Sequence, residues 1–146
     1  MASLKEQLGQ DPQRKAIVKD AIEVLDQEVA DKSGLTGVAI KGAYSIVKGI
    51  KPGFVQEVVD GLLDDFLIAL DPLYQEATAR KETPGRYLAG NGDRVADALL
   101  AIADARAERS SRAVIRKTYE KLRPTAKKHV SSSAPRLGQL LDRHVS

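Results

Sequence analysis

The chain has 146 residues, 23 Lys and Arg against 20 Asp and Glu, a net charge of +3 and no cysteine. That length fits one domain with its own core, and the lack of cysteine excludes a disulfide framework, a thiolate nucleophile and any Cys-ligated zinc or iron–sulfur centre. The net charge is too small to imply a polyanion partner by itself, but residues 54–79 hold six acids and no Lys or Arg, whereas residues 112–146 hold nine basic residues against Glu120 and Asp142.

The start of the chain, Met1 to Glu6, is polar and lacks the apolar stretch of a secretory signal. No window offers about 20 uncharged apolar residues, so no transmembrane helix is expected and the chain reads as cytoplasmic. A short turn around Leu4 and Leu8 is expected to dock as an arm. Asp11-Pro12 then predicts a helix start, with an acid as N-cap and proline at the first helical position. That helix is expected from about Pro12 to Lys32, its apolar face made by Ile17, Val18, Ala21, Ile22, Leu25 and Val29.

The second helix is expected over about Leu35 to Ile50, stopped by Lys51-Pro52-Gly53. Its charges are Lys41 and Lys48 alone, and a helix apolar nearly all round is normally buried. Interior glycines cost roughly 1 kcal/mol each against alanine, so the small face of Gly37, Ala39, Gly42, Ala43 and Gly49 calls for an offset. Close packing of a central helix supplies one. A surface that admits a ligand or partner supplies another. Lys41 and Lys48 lie seven apart on one face and are candidates for solvation, ion pairing or an anion-binding row.

The third helix is expected from about Phe54 to Leu70, with Glu57, Asp60 and Asp64 opposite a broad apolar face. Asp71-Pro72 is expected to kink or restart it. Residues 81–92 read as a loop with one helical turn around Tyr87. A fourth helix starts near Asp93 and turns Val95, Leu99 and Ile102 inward. A fifth runs from about Arg112 to Arg123, ended or bent by Pro124, and a last short helix starts at Pro135 after a Ser131–Ser133 linker and cap. An all-α, single-domain bundle of about five helices with short terminal turns follows.

Arg112, Arg116, Lys117, Lys121, Arg123, Lys127 and Lys128 form the basic row most suited to phosphate contacts. Glu120 interrupts it, and no named nucleic-acid motif accompanies it. His129 with Ser131, Ser132 and Ser133, and His144 with Asp142, supply the residue types of a triad without a spacing that fixes its geometry. The carboxylate pairs Asp60/Asp64 and Asp93/Asp97 oppose the apolar faces and lack the Glu-x-x-His of bundle metal sites. Gly90-Asn91-Gly92-Asp93 has no nucleotide fingerprint around it and reads as a turn. No catalytic residue, metal or cofactor is therefore expected.

The runs Lys32-Ser33-Gly34-Leu35, Lys48-Gly49-Ile50-Lys51-Pro52-Gly53-Phe54, Asp71-Pro72-Leu73-Tyr74 and Lys117-Thr118-Tyr119-Glu120-Lys121-Leu122-Arg123-Pro124 resemble a family of small bacterial all-helical proteins with no assigned activity. The resemblance implies a bacterial origin and a helical domain, and carries no functional residue. The functional expectation is a non-catalytic protein–protein or regulatory module that binds a protein partner or self-associates. Nucleic-acid binding through residues 112–128 and carriage of a small apolar ligand between helices are the alternatives.

Overall fold

The computed structural model describes residues 2–145. Among the described residues there are seven helices and no strand: α1 (Leu4–Leu8), α2 (Gln13–Asp31), α3 (Gly34–Lys48), α4 (Phe54–Ala79), α5 (Pro84–Ala89), α6 (Gly92–Glu108) and α7 (Ala113–His144). The all-α bundle expected from the pattern is therefore the fold, with α1 and α5 as its two short turns.

The arm α1 is nucleated by a capping box, in which Ser3 Oγ accepts from the Glu6 amide and Glu6 Oε1 accepts from the Ser3 amide. Leu4 and Leu8 are fully buried against the rest of the core. The Leu4 amide donates to Asp71 Oδ1 at 2.9 Å, which ties α1 to α4. Asp71 thus serves the N-terminus of a different helix from the one predicted. Asp11 does not cap α2 either: Pro12 occupies the cap position, and the Asp11 carboxylate lies 3.6 Å from Lys15 Nζ.

Three of the expected breaks are absent. α4 continues through Pro72, and α7 continues through both Pro124 and Pro135. An interior proline costs about 3 kcal/mol, whereas each fully buried Leu contributes about 1.5–3 kcal/mol. The apolar face of α4 runs unbroken across the proline through Leu70, Leu73, Tyr74 and Ala77, all buried. In α7 the serines expected to form a linker stay helical. Their hydroxyls turn back on the helix, Ser132 Oγ donating to the His129 carbonyl at 2.8 Å and Ser133 Oγ to that of Val130 at 2.6 Å.

One core spans the bundle, built on Leu63, Leu67, Leu70 and Leu73 of α4 and joined by Leu88, Val95, Leu140 and Leu141 from α5, α6 and α7. The closest helix approach joins α5 to α7. A Cβ at Gly138 would stand 2.5 Å from Gly85 Cα, and Asp142 Oδ1 accepts from the Gly85 amide at 2.9 Å. Gly85 and Gly138 thus bring two helix backbones into contact.

Helix α3 departs most from expectation. It is peripheral, not central: Leu35 is 92 % exposed, Val38 70 % and Ile46 51 %. Its inner residues Ile40, Ala43 and Val47 rest over Leu25 and Val29 of α2 and Val55, Val58 and Val59 of α4.

Candidate functional site

An apolar cavity of about 330 Å³ lies between α2, α4 and α7. Ile17, Ala21, Val24 and Leu25 line it from α2, Leu63, Phe66, Leu67 and Leu70 from α4, and Leu137, Leu140 and Leu141 from α7. Ile40 of α3 reaches its edge. A second apolar space of about 250 Å³ lies beneath α3 and shares Leu25, Val29, Ile40 and Val59 with the first. The two are therefore neighbouring apolar spaces, and α3 lies over the second. Protein interiors rarely leave voids larger than a water, and 300 Å³ is where ligand pockets begin.

Polar groups gather at one end of the cavity: Glu28, Lys32, His129 and Ser133. The Glu28 and Lys32 side chains are only 15 % and 16 % exposed, with their charged ends 3.9 Å apart. Lys32 Nζ also donates to Ser132 Oγ at 3.2 Å, and Arg136 Nη1 lies 3.1 Å from Glu28 Oε2. His129 Nε2 is hidden from solvent and, among the described residues, has no hydrogen-bond partner. Burial pushes the pKa of His129 below its ordinary value, and the neighbouring charges of Lys32 and Lys128 push it the same way. The imidazole is thus held neutral beside an apolar chamber, with a ring nitrogen available to a polar group placed there.

A larger groove of about 730 Å³ lies between α4 and the α6–α7 turn, lined by Phe54, Glu57, Arg106, Arg109, Arg112 and Tyr119 among others. Its charged walls already satisfy one another in part. Glu57 pairs with Lys51 at 2.9 Å, and the Arg112 guanidinium stacks 5.3 Å from the Phe54 ring centre. It is a surface groove that solvent serves as well as any ligand would.

The small residues singled out on α3 are scattered in role. Gly37 is buried and meets the Lys32 backbone, where a Cβ would lie 2.7 Å from the Lys32 carbonyl carbon. Gly42 faces open space, Gly49 is the C-cap, Ala39 is exposed and Ala43 is buried against the inner face. They do not form a helix-packing seam.

The basic row also divides. Arg123 Nε lies 2.8 Å from Asp104 Oδ1, and Lys127 Nζ lies 3.1 Å from Asp97 Oδ1, so the acidic stripe of α6 engages part of it. Tyr119 Oη donates to the same Asp104, whose pKa Arg123 and Tyr119 hold below the ordinary value. Arg116 Nη1 donates to the Ser110 carbonyl at 2.5 Å. Lys117, Lys121 and Lys128 are exposed and, among the described residues, meet no acid. Lys117 and Lys121 lie beside Val38, Gly42 and Ile46 of α3. Lys41 and Lys48 of α3 are exposed, with Lys48 Nζ 5.1 Å from the Tyr44 ring centre.

The triad residue types do not assemble. Ser131 Oγ donates to Asp93, the Ser132 hydroxyl faces the His129 carbonyl, Asp142 serves Gly85, and His144 Nε2 lies 2.7 Å from Asp20 Oδ2. Of the carboxylate pairs, Asp60 and Asp64 both clasp Arg14 at 2.8 Å. Gly92 of the glycine turn packs under α7, where a Cβ would lie 2.9 Å from the Ser131 carbonyl oxygen. The sequence reading missed the polar end of the cavity. Its members come from the end of α2 and the middle of α7, and only the i,i+4 spacing of Glu28 and Lys32 is a local signal.

The fold makes the chain a small all-helical bundle protein. It belongs to a family described as "Family of unknown function (DUF6918)", which it matches over residues 4–145. No curated protein and no solved structure matches it.

Proposed function

We propose that the protein binds a small amphipathic molecule between α2, α4 and α7, under the cover of α3, and acts as a cytoplasmic carrier or ligand-responsive module without covalent chemistry. The cavity of about 330 Å³ carries this reading. The pocket is partly open to solvent and its lining is almost wholly apolar, with Ile17, Val24, Leu63, Leu67, Leu70, Leu140 and Leu141 buried. Each methylene that a ligand buries there contributes about 0.8 kcal/mol. The ligand's chain occupies the apolar chamber. Its polar head lies at Lys32, Ser133 and His129, where a hydroxyl or protonated carboxyl donates to His129 Nε2.

The other readings draw less support. Nucleic-acid binding through residues 112–128 loses two of its cations to Asp97 and Asp104. Self-association through α3 would bring like charges together, because residues 34–48 hold two lysines and no acid.

The test is a thermal-shift titration with straight-chain alkanoic acids and alkanols of increasing length, paired with native mass spectrometry. A ligand that binds only the folded state raises the melting temperature in proportion to RT ln(1 + [L]/Kd). Stabilisation should grow with chain length until the cavity is full, then stop. A series with no length dependence, and no retained ligand in the mass spectrum, would overturn the reading.

A further inference from the structure

The geometry points to the outer face of α3 as a docking surface for an anionic lipid bilayer. Residues 34–48 form a helix whose inner side, Ile40, Ala43 and Val47, lies on the bundle. At 100° per residue, Leu35, Val38, Gly42 and Ile46 fall within one arc of about 80°, turned about 130° from that inner side. The three large ones among them are among the most exposed apolar side chains of the protein. Isolated exposed apolar residues need no explanation, but a row of them on one helix does.

Charge decides what covers this row. Lys41 and Lys48 border it along one side of the helix, and Lys117 and Lys121 of α7 border it along the other, beside Val38 and Ile46. None of the four has an acidic partner among the described residues, and α3 contains no Asp or Glu. An apolar stripe between two rows of unpaired lysines is the arrangement of a helix lying in a membrane interface. The apolar side chains enter the acyl boundary, and the lysine stems reach up to lipid phosphates. A second copy of the chain would meet the same four positive charges with its own.

Docking is shallow. No helix is long and apolar enough to cross a membrane among the described residues. Leu35, Val38 and Ile46 give modest apolar area, so the lysines and the stripe are both required. Each lysine near an anionic surface contributes about 1 kcal/mol, or about fivefold in partitioning. This inference stands apart from the cavity reading, because it concerns the outer face of α3.

Co-sedimentation with vesicles tests it, using phosphatidylcholine alone and phosphatidylcholine with roughly a third replaced by phosphatidylglycerol. The protein should pellet with the anionic vesicles and not with the neutral ones. Raising ionic strength from about 0.1 M to about 1 M, which shortens the screening length from about 10 Å to about 3 Å, should release it. The triple variant L35S/V38S/I46S and the quadruple variant K41Q/K48Q/K117Q/K121Q should each lose binding at least tenfold, with helicity unchanged by circular dichroism. Should the triple variant fail to fold, the quadruple variant still decides. Equal binding to neutral and anionic vesicles, or no binding to either, overturns the inference. So does a protein dimer that the triple variant dissociates while vesicle binding is absent. The alkanoate titration contains no vesicles, so failure of one reading leaves the other visible.

Discussion

Ala21 lines the cavity from α2, facing the chamber shared with α4 and α7. Replacing it with leucine adds three carbons to space that the native side chains leave open. At about 0.8 kcal/mol per buried methylene, the gain is about 2 kcal/mol in the absence of ligand. For a chain of this size, 1 kcal/mol moves the melting temperature by about 2–4 °C, so Ala21→Leu should raise it by about 4–8 °C. The same side chain should weaken binding of the longest accepted alkanoic acid about tenfold, because it displaces about two methylenes of ligand. Calorimetry of the ligand-free protein gives the first quantity, and the thermal-shift titration gives the second. The opposite signs are the point. In a well-filled core, Ala21→Leu would be overpacking and would destabilise by about 1–3 kcal/mol. A lowered melting temperature would refute the cavity argument and, with it, the proposed function.

Further expectations concern the backbone and the titrating groups. Gly138→Ala places a methyl against Gly85 Cα and should destabilise by about 1–3 kcal/mol in urea melts, with no change in ligand affinity. Gly42→Ala meets nothing within 4 Å and should stabilise by up to about 1 kcal/mol through helix propensity. His129 has a folded pKa below the unfolded value of 6.5, so the unfolded chain takes the proton first and stability should fall as pH drops below about 6.5. Urea midpoints at about pH 7 and about pH 5 should differ less in His129→Leu than in the parent protein. Arg94, with help from Tyr87, holds Glu76 at about 2 against 4.5, so its contribution is complete above 4.5 and lost as pH falls toward 2. Glu76→Gln should shift acid unfolding to higher pH relative to a neutral surface substitution, followed by circular dichroism.

The apolar stripes made the helices legible, because burial and a 3.6-residue period are the same fact read in two ways. Thr83-Pro84 also does what its chemistry says, with Thr83 Oγ1 accepting from the Arg86 amide and proline at the first turn. Asp11-Pro12 and Lys51-Pro52-Gly53 do mark a helix start and a helix stop. The signals at Pro72 and Pro135 fail for a common reason. Local rules weigh one lost hydrogen bond against propensity, whereas Pro72 and Pro135 lie beside Leu70, Leu73, Ala134 and Leu140, whose burial is settled by other helices. The glycines divide in the same way. Gly37, Gly42 and Gly49 stand out because they cluster, but of the three only Gly37 meets backbone outside its own helix, and the contact of Gly85 with Gly138, isolated in sequence, is made only by the crossing of α5 and α7. The polar end of the cavity was invisible for the same reason, since Lys32 and Ser132 meet across 100 residues of chain.

These misreadings converge on α3. Gly37 packs on the Lys32 backbone at the start of the helix, but beyond it Gly42 touches nothing. The helix begins at Gly34, and the turn after it ends at Gly53, the N-cap of α4; both are at positive φ, where any other residue would be strained. Its inner face rests over an apolar space of about 250 Å³ and not on a filled layer. Few buried contacts and low helix propensity set a low free energy of local opening. The cost of the glycines is therefore better explained by a cover that separates readily from the bundle than by one that seals it. Amide hydrogen exchange resolves the difference. Residues 38–47 should exchange well before residues 63–74 of α4 in the ligand-free protein, and an alkanoic acid that fills the cavity should slow the α3 amides selectively. Protection of α3 equal to that of α4 would mean that the helix opens only with the whole fold, and the cover would then have to admit ligand by global unfolding.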